Sequence, residues 1–118
     1  MIKNAIFPIA EVIIASNKSL IALAEDISQK ILMNLRFGGV EKYIRNENPA
    51  VFIRPLLGLE LVLWHDLDEP SLFHLEVSNS GDDFALMRLV DKTSMNYVDV
   101  SGFMAAVLTL NGFECAQK

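Results

Sequence analysis

Two runs in which apolar residues alternate with others, Leu59 to His65 and Ser71 to Ser78, flank the short segment Asp66-Leu-Asp-Glu-Pro70. This pattern constrains the fold more than any other in the chain. A period of two marks a half-buried strand, and a short polar connector between two such runs marks a hairpin. Pairing His65 with Ser71 brings Leu63 to Phe73, Leu61 to Leu75 and Leu59 to Val77, with all six side chains on one face. The other face then pairs Trp64 with Leu72, Val62 with His74, and Glu60 with Glu76. Carboxylates directly opposite each other are unfavourable. The register therefore calls for water, a proton or an outside cation between Glu60 and Glu76.

The flanking segments complete an α+β pattern. Ile9, Val12, Ile13, Ser16, Leu20, Leu23, Ala24, Ile27, Ile31 and Leu35 recur at helical steps. They predict an N-terminal helical region, opened by Pro8 and stopped by Gly38-Gly39. It is either continuous or broken near Ser16 to Ser19, with Ser19 capping a second helix. Val40 to Asn46 suits a helical turn, and Asn46 to Pro49 a loop. Val51 to Leu56 reads as a strand that carries Pro55, which places the strand at an edge or ends it there. Asn79 to Asp82 is a second turn. Asp83 to Val90 reads as a further strand that keeps Arg88 off the core, near Glu76 and His74. Asp91 to Asn96 is a loop. A last helix capped by Asp99 or Ser101 runs to about Leu110, where Asn111-Gly112 ends it. Its residues are apolar nearly all round, which predicts burial against the sheet. Residues 1–118 are thus expected to form a single α+β domain. The expected elements are an N-terminal helical region, a mainly antiparallel sheet of about four strands, and a C-terminal helix packed on the sheet.

Composition excludes several classes. At 52% hydrophobic and 21% charged, the chain is no disordered polymer. One cysteine excludes an internal disulfide and a cysteine-based zinc site, and suits a reducing compartment. The apolar stretch from Ala5 to Ala15 contains Pro8 and Glu11 and falls short of the roughly 20 residues of a membrane span. Lys3, that stretch and Ala22-Leu23-Ala24 imitate a secretory leader, but Glu11 interrupts it. The expectation is a cytoplasmic protein with no membrane contact.

Charge is the most informative functional feature. The net charge is −5, and between Arg54 and Arg88 there are seven acidic residues and no Lys or Arg. Binding to nucleic-acid phosphates would need a basic stripe instead. The acids are Glu60, Asp66, Asp68, Glu69, Glu76, Asp82 and Asp83, and Trp64 stands among them. Tryptophan is enriched at binding hot spots, and an acidic surround steers a basic partner toward it. These eight residues form the candidate partner-binding set.

No catalytic, cofactor-binding or metal-binding residue is assigned. His65, Asp66, Asp68 and Glu69 lack EF-hand spacing, and the hairpin sends His65 and His74 to opposite faces. Glu60 and Glu76 lack any indicated pocket, Cys115 lies in the tail Glu114 to Lys118, expected to be frayed, without a reactive-cysteine signature, and Gly38-Gly39 has no P-loop lysine. The chain is therefore not expected to be an enzyme.

In size, charge and α+β content the chain resembles bacterial immunity proteins, which block a cognate toxin, often a nuclease. No motif carries that resemblance, so no residue role transfers with it. It implies a basic protein partner held by the acidic surface. The alternative is a secretion-chaperone-like or homodimeric assembly module, which would use an apolar sheet face or helix.

Overall fold

The computed structural model describes residues 1–41, 48–56, 59–79 and 88–116. Its strands are β1 (Ile6–Ala15), β2 (Gly38–Glu41), β3 (Ala50–Leu56), β4 (Leu59–His65), β5 (Leu72–Asn79), β6 (Asn96–Asp99) and β7 (Glu114–Ala116). Among the described residues its α-helices with defined bounds are α1 (Leu20–Lys30) and α2 (Ser101–Leu110), and Lys92–Ser94 forms a 3-10 turn. The architecture is α+β, and the sheet is mainly antiparallel. Among the described residues it has seven strands, not about four, in the order β2-β3-β4-β5-β1-β6, with β7 also on β1.

The largest departure from expectation is β1, a central strand where a helix was predicted. One side of β1 pairs with β5, and the other pairs first with β6, in parallel, then with β7. A strand enclosed in this way can carry a continuous apolar run, and such a run matches helical steps as readily as it matches a strand. The β-branched residues Ile9, Val12, Ile13 and Ile14 favour the extended form. Pro8 is tolerated because of where its missing N–H would point. Ala5 and Ile9 turn their carbonyls toward β6, accepting from Asn96 and Val100. Position 8 therefore faces the opposite side, where the ladder with β5 begins only at Ala10.

Helix α1 begins where a second helix was allowed. The Ser19 hydroxyl caps it, accepting from the Ala22 N–H at 3.1 Å. Leu20, Leu23, Ala24 and Ile27 form its buried face. Gly38 and Gly39 do not stop a helix but belong to β2. Strand β3 is not at an edge, since β2 lies outside it; yet β2 reaches only Phe52, and Pro55 falls beyond that pairing, next to an irregularity between Ile53 and Leu56. Of the strand expected over 83–90, residues 83–87 lie outside the described residues. Arg88 and Leu89 are helical, and Val90 makes one parallel bridge with Ile2. Most of the turn expected over 40–46 also lies outside them.

The hairpin exists, with its register moved by two residues. His65 faces Phe73, Leu63 faces Leu75 and Leu61 faces Val77. The connector causes the shift. Asp66 Oδ1 accepts from the N–H groups of Asp68 and Glu69, and the Asp66 N–H donates to the Leu72 carbonyl. Serine 71 is thereby held in the turn and does not pair with His65.

A slip of two preserves which side chains share a face. Leu63, Phe73, Leu75, Val12, Ile14 and Val51 meet α1 on one side, joined there by Leu108 of α2 and Phe113. Ile14, Leu63, Phe73 and Leu108 are fully buried. Helix α2 ends at the predicted Asn111-Gly112, where Gly112 takes φ +90°. It packs on β1 and β7. It is not buried all round: Phe103 and Leu110 remain largely exposed.

Candidate functional site

Both described helices occupy one face of the sheet, so the alternate residues point the other way. Glu11 and Ile13 of β1, Glu60, Val62 and Trp64 of β4, and His74, Glu76 and Ser78 of β5 share that second face. Most are partly buried, and Ser78 is exposed.

The centre of this face is an aromatic pair. Trp64 and His74 are directly opposite on β4 and β5, and their rings stack with centroids 3.9 Å apart and planes within 7°. The indole N–H donates to Glu76 Oε2 at 2.7 Å. This charge-assisted bond fixes the ring and meets its one polar group. Trp64 therefore lies on the face opposite α1 and α2.

Carboxylates surround the pair. His74 Nδ1 lies 3.7 Å from Glu11 Oε1, and Nε2 lies 3.5 Å from Asp66 Oδ2. Neither contact has hydrogen-bond geometry, and both nitrogens are shielded from solvent. The expected opposition of Glu60 and Glu76 does not occur. The two-residue shift puts Glu60 opposite Ser78 and Glu76 opposite Val62, while on its other side Glu76 is opposite Glu11. Asp99 and Ser101 close the border at the end of β6. With Glu11, Glu76 and Ser78 they line a cleft of about 360 Å³.

Ser101 also completes the sheet. Its hydroxyl accepts from the Glu11 N–H at 2.9 Å, at the gap where β6 has ended and β7 has not begun. The contact anchors the start of α2 to the strand that carries Glu11.

Of the predicted partner-binding set, Glu60, Trp64, Asp66 and Glu76 come together on this face. Asp68 and Glu69 are exposed in the adjoining loop, which is tied down by Leu67 N–H to Asn48 Oδ1 and His65 Nε2 to the Pro70 carbonyl. Asp82 and Asp83 lie outside the described residues. The sequence reading left out Glu11, His74 and Asp99. The signal for Glu11 was present, as an acid inside a β-branched run, and became visible once that run was a strand.

Other candidate chemistry is dispersed. His65 lies on the helix side, stacked on Phe73 at 4.2 Å, opposite to the face of His74. Cys115 is opposite Ile14 on the helix side and approaches the Ala105 carbonyl at 3.7 Å. Among the described residues, no group of three or more His, Cys, Asp or Glu is arranged to hold a metal ion. A larger cleft of about 440 Å³ beside α1, lined by Glu25, Gln29 and Arg36, shares no residue with the aromatic–acidic face.

No family model, curated protein or solved structure matches this chain.

Proposed function

We propose that this protein is an acidic protein-binding module of the immunity or antitoxin type, which neutralises a basic partner such as a nuclease toxin. The observation that carries the reading is the Trp64–His74 stack, with Glu76 bonded to the indole, set among Glu11, Glu60, Asp66 and Asp99. A nuclease must present cations to hold phosphates. A carboxylate-rich face occupies the same cations, and its field speeds encounter. A rigid aromatic at the centre of that face suits a hot-spot anchor. The reading assigns the chain no catalytic step and no cofactor.

The test is capture of partners from the source cells at low and high salt, followed by binding kinetics of the captured protein. The expected result is one stoichiometric basic protein that dissociates as salt rises. Asp66→Lys, Asp68→Lys and Glu69→Lys together should slow association about tenfold or more and flatten its salt dependence. Trp64→Ala should weaken binding by about 2 kcal/mol or more, mainly through faster dissociation. Unchanged binding in the triple variant would refute the reading. A secretion-chaperone-like or homodimeric assembly module is the second reading, and the exposed apolar residues of α2 favour it.

A further inference from the structure

We propose that Asn111-Gly112, at the end of α2, is a site of spontaneous covalent modification: the Asn111 side chain deamidates through a ring closed by the Gly112 nitrogen, and the helix cap holds that reaction back in the folded chain. The inference does not depend on the partner reading above.

The sequence supplies the reactants. Asparagine is among the thermolabile residues. Its carboxamide carbon can form a five-membered ring with the next backbone nitrogen, and Gly112 has no Cβ to hinder that nitrogen. In the closure the Gly112 N–H gives its proton to hydroxide and the bond from N to Asn111 Cγ forms. The Cγ–Nδ2 bond then breaks, and Nδ2 takes a proton from water and leaves as ammonia. Water opens the resulting imide in either of two ways. Cleavage between Cγ and N gives aspartate. Cleavage between the Asn111 carbonyl carbon and N gives isoaspartate, with the main chain running through the side chain. Nothing is oxidised or reduced, and water is the co-reactant.

The fold withholds the geometry. Asn111 is the C-cap of α2, with φ −98° and ψ 15°. At that ψ the Gly112 nitrogen nearly eclipses the nitrogen of Asn111 itself, whereas ring closure needs it turned to the Cβ side. Both reacting groups are also engaged. Gly112 N–H donates to the Thr109 carbonyl at 3.1 Å, and Asn111 Nδ2 donates to the Val107 carbonyl at 2.8 Å. Phe113 N–H donates to the Leu108 carbonyl at 3.0 Å, and both side chains belong to the core. Together these bonds make a Schellman cap. Such a cap needs a left-handed residue, and Gly112 takes φ +90°. The glycine that the cap requires is thus the one that leaves its nitrogen unhindered. Asn111 and Gly112 are both exposed, so water has access. What remains is local opening of the last turn, which sets the rate.

Neither product can remake the cap. An aspartate at position 111 offers no N–H to the Val107 carbonyl and sets a carboxylate at the negative end of the helix. An isoaspartate adds a methylene to the backbone just before β7, whose pairing with β1 starts at Glu114. Either change loosens the hold of Phe113 on the core.

The test incubates the full chain, folded and in guanidinium chloride, at neutral and mildly alkaline pH. Trypsin then releases Thr93–Lys118, and fragment masses locate the amide-to-acid change. Reaction at Asn111 should be about 10–100-fold slower in the folded chain, because at least two hydrogen bonds of the cap must open first. Isoaspartate should accompany aspartate. Phe113→Leu, which weakens the cap without touching the reacting pair, should raise the folded rate and leave the rate in guanidinium unchanged. Asn111→Asp should speed hydrogen exchange at the Gly112 and Phe113 amides. Equal rates in the two states, no reaction in guanidinium, or aspartate without isoaspartate would each overturn the proposal. A Phe113→Leu chain that reacts no faster when folded would show that the cap is not the gate, and unchanged exchange in Asn111→Asp would refute the loosening.

Discussion

Replacing His74 with phenylalanine separates stability from function at the proposed face. The two imidazole nitrogens are shielded and lie 3.7 and 3.5 Å from Glu11 and Asp66 without a hydrogen bond. A buried polar group left unsatisfied costs about 1–3 kcal/mol. The phenyl ring keeps the stack on Trp64, worth about 0.5–1.5 kcal/mol. Glu11 and Asp66 side chains are 39% and 20% exposed and keep access to water. His74→Phe is therefore expected to raise stability by about 1–2 kcal/mol. For a chain of this size that corresponds to a Tm rise of roughly 4–8 °C. Urea unfolding followed by Trp64 fluorescence and by circular dichroism measures it. The same variant should weaken partner binding, since a residue that lowers stability is expected at a functional site. A loss of more than about 1 kcal/mol in His74→Phe would show that His74 is a structural support and that the reasoning is wrong.

Ile14→Ala removes a fully buried side chain from the centre of β1 and should destabilise by about 2–5 kcal/mol in urea unfolding. Ser101→Ala leaves the Glu11 N–H without its acceptor; a loss of about 1–2 kcal/mol is expected, with faster hydrogen exchange at that amide. The Lys18 ammonium bonded to Asp26, joined by Lys30, holds the Asp26 carboxyl below the usual carboxylate range in spite of its partial burial. Its contribution is complete above the unfolded carboxyl pKa of about 3.9 and disappears as pH falls through the lower folded value. Asp26→Asn should therefore lose up to about 1 kcal/mol at neutral pH, less at high salt, and nothing in strong acid; acid titrations at two salt concentrations read both effects.

What the residues alone carried was local. The alternation from Leu59 to Ser78 assigned each side chain of the hairpin to a face, and that assignment holds: Leu63, Phe73 and Leu75 are in the core, while Trp64, His74 and Glu76 are opposite. Ser19 marked a helix start, Asn111-Gly112 a helix end, and the charge map a strongly acidic middle. The tertiary structure decided what periodicity cannot. A run flanked on both sides, as β1 is by β5 and by β6 and β7, has no polar face to reveal its period, so helix and strand read alike until its neighbours are known. The two-residue slip of the hairpin is equally hidden, because it leaves every side chain on its own face. What it changes is which groups meet. Glu76 loses Glu60 as its opposite neighbour and gains Glu11 from β1, and the acidic face is centred there because long-range pairing, not local pattern, sets which carboxylates become neighbours.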